Sequence, residues 1–210
     1  MSTRPAFCEA ADAAIRAAGV FRYPPAGAQE ELEWPNQDVW DLAEGGTQMV
    51  LDIARANIEA LLLPDEEEDN HPQFCAGDLV QIRITVQFAA KLVLLLKPPV
   101  DRMILIAPSY FMKGQVIGEG TTILPNSMPE RADGTRLPKA FKVESKIGWH
   151  NLIAIAVEHE ANVELPRASA DEKPRVFEDK EFALLFERLR RLRAGKVQLA
   201  AAVTSFFVAK

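Results

Sequence analysis

The sequence predicts an α+β protein: a helical N-terminal region followed by a mainly antiparallel β-sandwich with one C-terminal helix. Three observations support this. Apolar residues recur at three- and four-residue steps before residue 64 and at two-residue steps from Val80 onward. The sign of the charge reverses between the two regions. Short strand-like runs punctuated by Gly and Pro then follow one another without βαβ alternation, the pattern of a sandwich or barrel.

The N-terminal elements come first. Ser2 or Thr3 can cap a helix with Pro5 in its opening turn, an apolar stripe of Phe7, Ala11, Ala14, Ile15 and Ala18, and Gly19 as its stop. The stretch from Tyr23-Pro24-Pro25 to Trp34-Pro35 is too broken by proline to be regular. A second helical region opens near Asn36 with Val39, Trp40 and Leu42, breaks at Gly45-Gly46, and resumes from Thr47 to Leu63. The glycine pair would cost a helix interior about 2 kcal/mol relative to alanine, so two helices are expected there.

Residues 1–73 hold four Arg against fifteen Asp or Glu, a net of −11. Residues 74–210 hold twenty bases against fifteen acids, a net of +5. The reversal falls at Asp65-Glu66-Glu67-Glu68-Asp69, followed by Asn70-His71-Pro72. Acids at this density repel and stay hydrated, so the run reads as a linker. Two units are therefore expected, an acidic helical region over 1–73 and a β-sandwich over 74–210. The run lacks the alternating ligands, central glycine and distal glutamate of a calcium loop.

Past the linker the period becomes two. Val80, Ile82, Ile84, Val86 and Phe88 are apolar, whereas Gln81, Arg83, Thr85 and Gln87 are polar, as in a strand with one wet face. Leu92–Leu96 reads as its hairpin partner, and Met103–Ala107 as a third strand beyond Pro98-Pro99. Gln115–Ile117 and Thr121–Leu124 flank a Gly118-Glu119-Gly120 turn. Phe141 and Val143 alternate with Lys142 and Glu144, and Leu152–Val157 is an apolar, buried strand. A helix over Asp179–Arg193 carries Phe182, Leu185, Phe186, Leu189 and Leu192 on one face and stops at Gly195. Val197–Val208 returns to strand character. Gly77-Asp78 reads as a turn in which glycine supplies positive φ and the aspartate binds nearby backbone N–H groups. Pro108 and Pro125 end strands.

The order Phe74-Cys75-Ala76-Gly77-Asp78-Leu79-Val80, Leu94-Leu95, Ile104–Ser109, Val116-Ile117, Gly120, Leu124-Pro125, Phe141–Val143, Gly148 and Leu152–Ala156 resembles a bacterial family, domain of unknown function 4384. The resemblance covers about residues 74–158. Such domains are often attached to caspase-like peptidases and serine/threonine kinases. The resemblance implies an accessory β-sandwich that is not itself catalytic, here without a peptidase or kinase in the same chain.

The residues themselves assemble no catalytic set. His71, His150 and His159 are too scattered for a metal site by spacing, and alternation along a strand would put Glu158 and Glu160 on the face opposite His159. Ser109 lacks a nucleophile elbow, and Cys8 or Cys75 with His150 has no supporting local signature. Gly118-Glu119-Gly120 leads into a strand and so is no phosphate loop. No cofactor is expected.

A chain of 210 residues, 48% hydrophobic and 26% charged, fits an ordinary globular protein. Two distant cysteines suggest free thiols in a reducing compartment. The early acids argue against a secretory signal, and no apolar run is long enough to span a bilayer. A cytoplasmic location is the expectation. Arg188, Arg190, Arg191, Arg193 and Lys196 form a basic cluster on the last helix and are the candidate interaction residues. The leading functional expectation is a non-enzymatic interaction or adaptor module, with a protein partner and with self-association open. A nucleic-acid-binding regulator using the basic helix is the first alternative. An enzyme of unrecognised class is the second.

Overall fold

The computed structural model describes residues 49–56, 72–100, 102–112, 114–127, 139–167, 169 and 173–209. These form strands β1 (Met49–Arg55), β2 (Gln73–Cys75), β3 (Leu79–Val86), β4 (Ala90–Lys97), β5 (Ile104–Ala107) and β6 (Val116–Ile117). They continue with β7 (Gly120–Leu124), β8 (Phe141–Lys142), β9 (Gly148–Glu158), β10 (Arg175–Val176), helix α1 (Asp179–Ala194) and β11 (Leu199–Ala209).

The alternation that marks β3 in the sequence is its burial pattern. Val80, Ile82, Ile84 and Val86 are buried, and the residues between them face outward. This strand is the spine of an outer sheet in the order β1-β3-β7, with β8 pairing on β3 beside β7. Leu51 and Ile53 of β1 point inward with the β3 apolar set, opposite Ile84 and Ile82 in an antiparallel register. Because one face is wet, only alternate residues of β3 are apolar.

The second sheet runs β10-β5-β4-β9-β11-β2, with β6 pairing on β4. It lies between two hydrophobic cores. Leu92 and Leu94 of β4 and Leu152, Ala154 and Ala156 of β9 pack towards the outer sheet. Val93, Leu95, Ile153, Ile155 and Val157 pack on the other side against Phe182, Leu185, Phe186 and Leu189 of α1. Both faces are buried, which is why β4 and β9 read as near-continuous apolar runs. The result is three layers: outer sheet, central sheet, helix.

Local features follow the sequence closely in places. Gly77 has φ +91°, and the Cys75 N–H donates to Asp78 Oδ2 at 2.9 Å. β5 and β7 end at Ala107 and Leu124, each followed by a cis proline. The helix opens with Glu181 reaching back to the Glu178 N–H at 3.2 Å, a capping arrangement, and ends at Gly195.

Four expectations are corrected. The helix expected over Thr47–Leu63 does not form at Met49–Arg55, which is strand β1. Alternate residues Leu51 and Ile53 satisfy the inner face of the outer sheet, and pairing along the whole of β1 with β3 outweighs helical spacing. That strand lies before the acidic run, so the sheets draw residues from both sides of the boundary expected at residue 73. The β3–β4 hairpin is absent too: the chain crosses at 87–89 from the outer to the central sheet. A strand apolar on both faces cannot sit beside β3 without exposing half its side chains. Glu158 ends β9, and His159 and Glu160 lie in the following turn. Finally, Cys75 is disulfide-bonded, so free thiols are not found at this position and the cysteine argument for a reducing compartment falls away. The helices expected at 7–18 and from 36 to 42, the 65–69 linker and Cys8 lie outside the described residues.

The two-sided burial makes a direct prediction. Leu94 is fully buried, whereas Ile123 on the outer face of β7 is 45% exposed. Leu94→Ala is expected to lower urea-measured stability by about 3 kcal/mol. Ile123→Ala should change it by no more than about 0.5 kcal/mol. Equal losses would contradict the layer assignment.

Candidate binding cleft between the sheets

The sandwich is open along one side. The outer sheet is extended there only by the two residues of β8, which pair with Leu79 and Val80. The central sheet ends there in the two residues of β10, which pair with Ile104 and Leu105. A cleft of about 760 Å³ lies between them, within the range of about 300–1,000 Å³ common for ligand sites. Its inner wall is apolar, built from Ile82, Ile106, Leu152 and Phe206, one from each of four strands.

Aromatic packing shapes one side. The Phe111 ring meets Phe141 edge-on at 4.7 Å and Tyr110 at 4.4 Å. Loop 108–112 is held by the Met112 N–H donating to Ser109 O at 3.0 Å and the Phe111 N–H donating to Ser109 Oγ at 3.2 Å. The Asn126 N–H donates to Phe111 O at 3.0 Å, which ties in the loop after β7. Ser109 is thus buried as a turn hydroxyl.

His150 lines the cleft and is buried. Its ring stacks on Phe206 at 5.0 Å between centroids. Its Nε2–H donates to Lys146 O at 2.9 Å, since a carbonyl can only accept, and so anchors the loop at the mouth. Cys75 lies in a disulfide and makes no thiol partner for His150. Among the described residues no group of three or more His, Cys, Asp or Glu is placed to hold a metal ion. None of their helices is long and apolar enough to cross a membrane.

Charges border the mouth. Lys142, Glu144, Lys146 and Arg175 belong to its lining, with Lys146 Nζ 3.8 Å from Glu144. Arg175 is held by Glu181 in a two-pronged pair at 2.8 and 2.6 Å and lies over the Phe177 ring at 5.6 Å. The hydrogen bonds from Arg175 hold the Glu181 carboxyl below its ordinary range, with the Glu178 N–H adding to them against partial burial. The same pair raises Arg175 above its ordinary value.

The basic cluster read from the sequence lies elsewhere, on α1, beyond the central sheet from the cleft. Arg188 donates to Glu164 O at 2.8 Å and sits 3.7 Å from its carboxylate. Arg191 pairs with Glu187 one turn earlier. Arg190, Arg193 and Lys196 are exposed. Intramolecular acids therefore engage Arg188 and Arg191 of the predicted cluster. Sequence reasoning missed the cleft and its lining residues Tyr110, Lys142, Lys146 and Arg175. The available signal was the lysine-rich segment Lys139-Ala140-Phe141-Lys142-Val143-Glu144-Ser145-Lys146.

No family model matches the chain, and no curated protein matches it either.

The Arg175–Glu181 pair has a pH signature. A carboxyl whose folded value is lowered adds stability above its unfolded value, about pH 4.3. That contribution is lost as pH falls through the folded value. Glu181→Gln is expected to cost about 1 kcal/mol at pH 7, because the pair and the cap are both weakened. The difference from the parent should shrink progressively below pH ~4 in acid titrations of thermal stability. A pH-independent difference would rule out the ionised pair as its source.

Proposed function

We propose that this protein is a non-enzymatic interaction module, an accessory β-sandwich working with a separately encoded bacterial enzyme of peptidase or kinase type. One observation carries the reading: a ligand-sized cleft with an apolar inner wall and a charged mouth, opening between sheets whose other faces are already packed or wet. The residues that the sequence raised as possible chemistry have other work there. Ser109 closes a turn and His150 anchors a loop. The resemblance of residues 74–158 to accessory domains supports the same reading and suggests the class of partner.

The nucleic-acid alternative draws on Arg190, Arg193 and Lys196, exposed at one end of α1. Arg188 and Arg191 would have to leave Glu164 and Glu187 to join them on a phosphate backbone.

Affinity capture with the full chain from its source cell tests the module reading. A stoichiometric partner is expected that is lost when the cleft is filled by Leu96→Trp and retained by Ile123→Ala. Recovery of the chain alone, or a partner indifferent to both changes, would count against the cleft as the working surface. In parallel, filter binding at two salt concentrations should find no salt-sensitive association with DNA or RNA.

A further inference from the structure

We infer that the cleft holds the hydrocarbon chain of a free fatty acid, with the carboxylate outside at Lys142. The inference goes beyond the interaction-module reading, because it concerns a small ligand in the recess and needs no protein partner. Depth, polarity and charge together select this ligand.

Depth comes first. Ile82, Ile106, Leu152 and Phe206 line the cleft, yet their exposure runs only from 1% at Leu152 to 7% at Ile106. All four belong to the core between the outer and central sheets. A folded partner can cover the mouth but its surface cannot reach that wall, whereas a slender chain can. Leu96, Ile104 and Phe141 also line the cleft and are only partly buried, so apolar surface continues outward from the recess.

Polarity decides the body of the ligand. The uncharged polar side chains of the lining are Tyr110 and His150, and the His150 Nε2–H already donates to Lys146 O. A sugar or a nucleotide would bury several hydroxyls or ring nitrogens there without partners, each at a cost. Methylene groups need no partner and gain by leaving water.

Charge decides the head. The charged residues of the lining are Lys142, Glu144, Lys146 and Arg175. Lys146 stands beside Glu144, and Arg175 is held by Glu181. Lys142 is exposed, and among the described residues no carboxylate pairs with it. A single open cation at the mouth of an apolar recess favours a single anionic head, and a cationic head would meet like charge.

Calorimetric titration of the full chain with saturated carboxylates from octanoate to hexadecanoate, each below its micelle concentration, tests this. One site is expected, with affinity rising about fourfold for each added methylene until the recess is full and then levelling. Lys142→Gln should weaken decanoate about threefold at low salt and leave 1-decanol unchanged. Leu96→Trp, which narrows the cleft, should weaken acid and alcohol alike by at least about tenfold. Vesicles of phosphatidylcholine and phosphatidylglycerol should not sediment the protein. Circular dichroism and urea unfolding check that both variants fold. If Leu96→Trp does not, the chain-length series and the exposed Lys142→Gln change decide.

No saturable binding, affinity indifferent to chain length, or many weak sites in place of one would overturn the inference. So would an equal loss of acid and alcohol in Lys142→Gln, or co-sedimentation with the vesicles, which would assign the apolar surface to a membrane. These titrations use the purified chain, so their failure leaves the module reading and its capture experiment untouched.

Discussion

The structure depends on burying both faces of one sheet. β9 pairs with β4 on one side over Leu152–Glu158 and beyond, and with β11 on the other over almost its full length. No backbone group along its centre is left to solvent, and no side chain there has a wet alternative. Parity along the strand sorts residues into two cores. Leu152, Ala154 and Ala156 meet the outer sheet, and Ile153, Ile155 and Val157 meet the helix. The small residues fall on the side where β3 brings Ile82 and Ile84, so bulk on one sheet is accommodated by alanine on the other. A one-residue slip would exchange the two sets and put branched side chains where Ala154 and Ala156 now sit.

That constraint also explains where the sandwich stays open. The central strands are long because both cores need them, but their neighbours at the cleft edge are only two residues long. Regular pairing stops at Lys142 and Val176, after which only isolated backbone bonds follow, from the Val143 N–H to Asp78 O at 2.8 Å and from the Phe177 N–H to Met103 O at 2.7 Å. The Tyr110–Phe111–Phe141 contacts and the hydrogen bonds to Phe111 O hold the neighbouring loops on one side. The far face of the central sheet is covered by α1, whereas the apolar wall of the cleft is the inner face of the sandwich itself, so Ile82, Ile106, Leu152 and Phe206 belong to the core and to the cleft at once.

Much of this was legible in the sequence wherever one local rule decided the outcome. β3 has a wet face and a dry one, so its period shows. Gly77-Asp78 needs a positive φ and a side-chain acceptor, so composition alone marks the turn. α1 combines a five-residue apolar stripe with a glycine stop. The failures share a different cause: the deciding partner is distant in sequence. Leu51 and Ile53 fit a strand as well as a helix, and only the unpaired edge of β3 selects between them. Adjacent strands β3 and β4 look like a hairpin until the second is seen to be apolar on both faces, which excludes it from a half-wet sheet. β2 and β10 are too short to show any period at all. The cleft could not be read from any one element, because its wall draws single residues from strands scattered across the chain.

The same distinction separates the two basic regions. On α1 the bases are contiguous and conspicuous, but a helix places acids one turn away, and Glu187 meets Arg191 within the helix. Glu164 comes from the preceding segment to meet Arg188. A charge-rich helix face thus neutralises part of itself by its own geometry. Along 139–146 the lysines are spaced by apolar residues, of which Ala140 and Val143 are buried while Lys142 stays at the surface. Strand-like spacing holds Lys142 three residues from Lys139 and four from Lys146, with Glu144 the sole acid between them. Lys142 and Lys146, spaced apart in the sequence, thus stand on one border of the cleft beside its apolar wall, with Glu144 between them.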